Sequence, residues 1–412
     1  MNKNKIMKIK VIRFVYKLLK KTVNIFFRPI VKVYKFFRMK KSTAPKVEYN
    51  VGFIVQLSAI WDKQIGIYEE LQKRKNINTF LFVVPEYDFK NDIVMNTYDD
   101  NNYFLNKYEE AIKAIDLENG VIDLRTYDLD YLFYPRPYDY YLPECYRSSY
   151  MYKYVKCCYI PYGLTGSENF DDLGYEFFDN IYCTFMDSDY QKELLESHYP
   201  VSSYIGAKKI FSLGYPVLSR FMDLEYSDEV QTIAWTPRWS MDAILGGSNF
   251  LRYCDDFIEL VKTSNYKYIF RPHPMMFDEL IKKNIIDESY KYDYLRKLEE
   301  NGVIYDIVSP IEELFDNTDL LITDYSSIIP QFFVSNKPII YCEGGIPLNK
   351  DYEEIVGFSY RADSWDNVMK NLESICKLGD IRSNERKIYI EKTYSKCRKS
   401  AKLIADKLEN GV

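Results

Sequence analysis

Short apolar runs alternate with helical ones along most of this chain, and they do so twice. The first series places strand candidates at 51–57 (VGFIVQL), 79–84, 131–134, 157–161 and 180–185. Amphipathic stretches at 61–73 and 103–115 lie between them. A second series starts at Thr232 (TIAWTP) and continues through 266–270, 303–305, 320–323 and 338–341, with helical patterns at 251–263 and 278–298. Short buried strands separated by helices imply parallel sheets covered on both faces. Two such series in 412 residues predict an α/β protein with two Rossmann-like domains facing a cleft. The boundary is expected within 219–229, giving an N-terminal domain over 47–222 and a C-terminal one over 223–412. Helices at 364–376 and 383–408 are expected to close the second domain.

Charge separates a third region from these two. Residues 1–41 hold fourteen Lys or Arg and no Asp or Glu, so the net charge of -5 resolves into +14 on this arm and -19 on the rest. A body that acidic disfavours nucleic acid as a partner. Within the arm Ile12, Val15, Tyr16, Leu19, Val23, Phe26, Phe27 and Ile30 recur at helical spacing, opposite Lys10, Arg13, Lys17, Lys20, Lys21 and Arg28. Bulky apolar residues facing basic ones predict a helix over the arm (1–46 with its linker) lying on an anionic membrane surface. Lysines interrupt every run long enough to span a bilayer, and the small-residue cleavage site of a signal peptide is lacking. The eight cysteines form no CxxC pair, which predicts free thiols rather than disulfides or structural zinc.

In open parallel sheets ligands bind beyond the carboxyl ends of strands, and the chemistry-bearing motifs fall there. Only two histidines are present. His273 sits in Arg271-Pro272-His273-Pro274, directly after the 266–270 run, where two prolines fix the backbone. A guanidinium beside an imidazole suits phosphate, since Arg pairs with its oxygens and His moves protons near neutral pH. The competing reading is a histidine packed into a turn. His198 lies in a polar stretch and reads as a surface residue. Thr323-Asp324-Tyr325-Ser326-Ser327 follows the run at 320–323 and precedes SSIIPQFFVSN, read as an amphipathic helix. Ser326 and Ser327 at its start, with Thr323 and Asp324, make a candidate diphosphate cradle or a plain helix cap. Trp235-Thr236-Pro237-Arg238-Trp239 closes another strand, where Arg238 either meets a phosphate or packs between tryptophans. In the first half, Pro161-Tyr162-Gly163-Leu164 and Gly214-Tyr215-Pro216 end strands and either line an acceptor site or form ordinary turns. A P-loop, a GxSxG elbow, HExxH and GxGxxG are all missing, and too few histidines remain for a metal site.

Taken together, WTPRW, RPHP, DLLITDYSS and KPIIYC resemble the CDP-glycerol glycerophosphotransferase family of teichoic-acid primases and polymerases, over roughly residues 210–350. The resemblance implies a GT-B fold and a CDP-activated donor held by the C-terminal domain. It also implies a lipid-linked or polymeric acceptor entering from the N-terminal domain, at the cytoplasmic membrane face, with no cofactor beyond the donor. His273 would then lie beside the donor phosphates, with Arg271, Ser326 and Ser327 holding them. Two features depart from the family. Its histidine-glycine pair after an N-terminal strand stands here as Tyr162-Gly163, and its Gly-x-Pro-Arg-x-Asp turn lacks the Arg and Asp after Gly214-Tyr215-Pro216. The acceptor-side base is therefore open between Tyr162 and a carboxylate such as Glu168, Asp171 or Asp172. A sugar transferase on the same scaffold, drawing on a CMP- or other nucleotide-sugar donor for capsule or surface polysaccharide, is the alternative. A non-catalytic membrane-bound partner of such an assembly is the third.

Overall fold

The computed structural model describes residues 46–88, 93–94, 98–116, 120–164, 175–204, 206–225, 229–240, 247–307 and 309–412. The basic arm and the three carboxylates Glu168, Asp171 and Asp172 lie outside these residues.

The first series of apolar runs forms a seven-stranded sheet of β1 (Tyr49–Val55), β2 (Ile77–Val83), β3 (Ala111–Lys113), β4 (Tyr131–Tyr134), β5 (Lys156–Tyr159), β6 (Cys183–Met186) and β7 (Lys209–Ser212). The second forms a six-stranded sheet of β8 (Thr232–Thr236), β9 (Lys267–Phe270), β10 (Ile304–Tyr305), β11 (Leu320–Thr323), β12 (Ile339–Cys342) and β13 (Tyr360–Ala362). Every pairing within both sheets is parallel. Strand order is 7-6-5-4-1-2-3 in the first and 10-9-8-11-12-13 in the second, so each is doubly wound. The order reverses between β1 and β4 in one sheet and between β8 and β11 in the other. Those are the points where connecting helices change face and leave a crevice.

The helices that matter are α1 (Ile65–Gln72), α2 (Tyr98–Lys107), α3 (Asp189–His198), α4 (Phe250–Thr263), α5 (Met276–Lys282), α6 (Glu288–Glu300), α7 (Ile329–Phe333), α8 (Lys350–Gly357), α9 (Trp365–Leu378), α10 (Ser383–Tyr394) and α11 (Ser400–Glu409). Four expectations need correcting. The helix expected at 103–115 ends at Lys107, and Ala111–Lys113 becomes an edge strand on β2. Partly buried Ala111 and Ile112 gain a sheet partner there that periodicity alone does not reveal. The helix expected at 278–298 is two helices. Asn284, at φ 54, ends α5, and the Asp287 carboxylate accepts from the Tyr290 amide at 2.8 Å to start α6. The segment after Ser327 is not amphipathic, because all five residues of α7 are buried.

The last helix does not close the C-terminal domain. α11 buries Ile404, Ala405 and Leu408 in the same apolar cluster as Tyr49, Val51 and Leu71. Its acidic side holds Arg74, just past α1, through Asp406 at 2.6 Å and through Glu409. The terminal Val412 carbonyl accepts from Tyr182 at 2.9 Å and Lys156 at 3.2 Å. That cluster runs on through Leu218, Phe221, Phe315 and Phe332, so one core spans both halves. Phe221 meets Phe315 across the seam with ring centroids 5.0 Å apart. Among the described residues no helix is long and apolar enough to cross a membrane. All eight cysteines are free.

Candidate active site

β8, β9 and β11 are adjacent, and the three C-terminal motifs leave their carboxyl ends together. The parallel ladder runs on past the strands. The Arg271 amide donates to the Trp235 carbonyl at 2.9 Å and the His273 amide to the Pro237 carbonyl at 3.0 Å. RPHP and TPRW therefore travel side by side to one edge. At the switch point the Thr236 hydroxyl donates to the Thr323 hydroxyl at 2.8 Å, which ties β8 to β11 beneath that edge. Together they frame a cleft of about 370 Å³ lined by Arg238, Arg271, His273, Ser326 and Ser327 among others.

Each cation in the cleft is held by a second group. Arg271 pairs with Asp306 at 2.6 Å, and Asp306 itself accepts from the Ser309 amide at 2.9 Å. Arg238 donates to the Tyr325 carbonyl at 3.1 Å and lies over the Tyr325 ring, 4.6 Å from its centroid. His273 accepts the Met275 amide on Nδ1 at 3.2 Å, which leaves the proton of its neutral form on Nε2. Its pKa is pushed down to about 4, first by the surrounding protein and then by Arg238. The ring is open to solvent on one side, so the neighbouring guanidinium is the firmer of the two causes. An uncharged N–H donor in a cleft shared with two guanidiniums can grip a diphosphate without being titrated away at neutral pH.

Thr323 and Asp324 do not reach this cleft. Both are fully buried. Asp324 accepts from the Arg238 amide at 3.0 Å, the Asn249 amide at 3.0 Å and the Asn249 side chain at 2.8 Å. It latches the loop after β8 to the start of α4, and with its oxygens so engaged it shapes the cradle from behind. Ser326 and Ser327 face the cleft from a turn, two residues or more before α7 begins.

The N-terminal residues divide likewise. Tyr162 and Gly163 line a second pocket, of about 170 Å³, with Tyr159, Asp187, Gln191 and Ser327. Ser327 and Leu164 border both spaces, so the two meet there. The Tyr162 hydroxyl shares a 3.0 Å hydrogen bond with that of Tyr138. Gly214 lies elsewhere. At φ +83, a Cβ on it would stand 2.8 Å from the Cys397 amide nitrogen. It is a packing glycine under the 3-10 turn at 395–399, not part of an acceptor surface. His198 bonds the Leu194 carbonyl at 2.8 Å at the end of α3. Among the described residues no group of three or more His, Cys, Asp or Glu could hold a metal ion.

Sequence reasoning missed Asp306, Asn249, Tyr325 and Asp187. Asp306 and Asp187 each follow directly on a strand, so the strand-end rule that located the motifs could have found them as well.

Two doubly wound sheets meeting at a cleft define a GT-B type protein. Two solved structures with bound uridine nucleotides share this fold. The Neisseria meningitidis UDP-GlcNAc 2-epimerase bound to UDP-GlcNAc is 11% identical with TM-score 0.58, covering 87% of this chain and 99% of that one. The S. aureus MnaA–UDP co-structure is 10% identical with TM-score 0.56, covering 88% and 96%. The wall teichoic acid polymerase TagF is 16% identical with TM-score 0.47, covering 96% and 97%. Residues 222–392 match the CDP-Glycerol:Poly(glycerophosphate) glycerophosphotransferase family. The minor teichoic acid biosynthesis protein GgaB of Bacillus subtilis (strain 168) is 26% identical over 184 residues, 39% of this chain. This chain spans only 18% of that relative's length.

Proposed function

We propose that this chain transfers glycerol phosphate, or a related alditol phosphate, from a CDP-activated donor to a hydroxyl of a teichoic-acid type polymer. The observation that carries the reading is the cleft at the β8–β11 switch point, where Arg238, Arg271 and a neutral His273 converge inside the part of the chain that matches the family. Arg271, braced by Asp306, and Arg238, braced by Tyr325, neutralise the donor diphosphate. Ser326 and Ser327 offer hydroxyls and turn amides to it. His273 donates from Nε2 to a phosphate oxygen. The acceptor hydroxyl enters from the pocket at Tyr162 and Gly163, attacks the β-phosphorus, and CMP departs. Catalysis rests on positioning and on fixed charge facing the transferring group, and the scheme needs no cofactor besides the donor.

The site works at the cytoplasmic membrane face in this reading, with the arm at 1–41 as a peripheral anchor on anionic lipid. Deleting residues 1–41 should leave a folded protein that no longer pellets with anionic vesicles; unchanged pelleting overturns the anchor.

The test of the reaction offers purified protein CDP-glycerol, CDP-ribitol, CMP-sugars and UDP-sugars in turn and follows nucleotide release. CMP from a CDP-alditol, lost in His273→Ala, is the expected result. Release from a sugar donor alone would instead make this chain a glycosyltransferase.

A further inference from the structure

Resting on the donor reading above, we propose that Asp187 is the general base that takes the proton from the acceptor hydroxyl. It stands one residue past β6, at the carboxyl edge of the N-terminal sheet, and lines the pocket that holds Tyr162 and Gly163 and meets the donor cleft at Ser327. It lines a second, smaller space at the domain seam with Leu164, Ser188 and Asp351. Asp187 thus faces the gap between the acceptor entrance and the serines proposed to hold the donor phosphates.

Its surroundings suit a base. Asp351 and Tyr352 face it from the start of α8, and Tyr159, Tyr215, Tyr394 and Cys397 stand near it from four other segments. None of these is a cation. Lys396, next to Cys397 in the chain, pairs instead with Asp189 at 3.8 Å. Ser188 donates to Asp351 at 2.5 Å, so Asp351 is the engaged member of the pair. Among the described residues the Asp187 carboxylate has only its own backbone amide as a hydrogen-bond partner. Asp187 is half-buried, and desolvation first, then the Asp351 charge, push its pKa up to about 7, where a carboxylate is basic enough to accept a hydroxyl proton. His273 is on the opposite side of the chemistry and holds its Nδ1 against the Met275 amide.

In the step, Asp187 takes the acceptor proton as the acceptor oxygen bonds to the β-phosphorus. The bond from that phosphorus to the bridging oxygen breaks, and CMP leaves with the electron pair. The proton on Asp187 then passes to solvent.

The experiment measures CMP release from CDP-glycerol, with a short poly(glycerol phosphate) oligomer as acceptor, across pH 5–9, and measures CDP-glycerol binding separately. Asp187→Asn should lower kcat by about 10²-fold or more while binding CDP-glycerol as the wild type does. Asp351→Asn should keep turnover at pH 8 and move the acid limb of the rate profile to lower pH by about one unit, because it removes the like charge. A structural role for Asp187 would not move that limb. Undiminished kcat in Asp187→Asn, or an unmoved limb in Asp351→Asn, overturns the proposal. If Asp187→Asn does not fold, the Asp351→Asn profile decides alone. If the wild type releases nucleotide only from a sugar donor, the donor reading fails, and the same two variants are compared on that donor. If no donor turns over, both fail together.

Discussion

The two faces of the cleft are built from different material. The donor face concentrates its chemistry in three short runs, and each charged group has a fixed neighbour: Arg271 with Asp306, Arg238 with Tyr325, His273 with the Met275 amide. Among the described residues the acceptor face carries tyrosines and one carboxylate with little hydrogen-bond support, gathered from positions as far apart as Tyr138, Tyr162 and Asp187. A rigid cationic cradle suits a ligand whose charge does not change during binding. A loosely supported acid of raised pKa suits a group that must gain and lose a proton.

The comparison can be broken in several places, beginning with the largest effect. His273→Ala should lower kcat/KM at least 10²-fold, roughly 3 kcal/mol, with little change in thermal midpoint, because the ring is open to solvent. An equal loss of stability would make His273 a packed turn residue and remove the centre of the donor face. Gly214→Ala should cost about 2–3 kcal/mol of stability, read by denaturant unfolding, since its left-handed backbone and the 2.8 Å approach to Cys397 both oppose a Cβ. Folded Gly214→Ala protein should keep most of its turnover, as the residue lines neither the donor cleft nor the Tyr162 pocket.

Stability against pH tests the acidic side separately. The Asp187 pKa rises to about 7 in the fold, so the folded chain binds a proton between pH 4 and 7 that the unfolded chain has released. Stability therefore falls as pH rises through that window. Asp187→Asn should remove this slope and stabilise the protein by about 1–2 kcal/mol more at pH 8 than at pH 4, after allowance for partial exposure. His273 runs the other way. Its lowered pKa makes stability rise between about pH 4 and 6.5, so His273→Ala should flatten the acid side of the same curve.

Smaller effects refine each face. Asp306→Asn should raise the KM for donor by about tenfold, near 1.4 kcal/mol, with a smaller change in kcat, because Arg271 loses its brace. Tyr162→Phe removes one hydrogen bond to Tyr138, and stability should fall by about 1 kcal/mol or less. Turnover should stay within about twofold of wild type if Asp187 is the base. Collapse of turnover in Tyr162→Phe would move the base to the tyrosine.

The two parallel sheets were legible in the chain because burying both faces of a strand demands a continuous apolar run, and the order of residues shows such runs. RPHP and the DYSS turn were legible for a related reason. Their residues are neighbours in sequence, and their place after an apolar run already puts them at a strand end. Helix limits were less so: the 103–115 pattern hid an edge strand whose partner, β2, is remote in the chain. What only the tertiary structure decided depends on distance along the chain. Asp324 reads as a ligand beside Ser326, yet Asn249 and the Arg238 amide bury and occupy it. Gly214 reads as an acceptor turn until Cys397 is folded against it. Asp187 is one aspartate among many until burial and Asp351 raise its pKa, because desolvation and Coulomb interaction are set by what packs around a group and not by its neighbours in sequence.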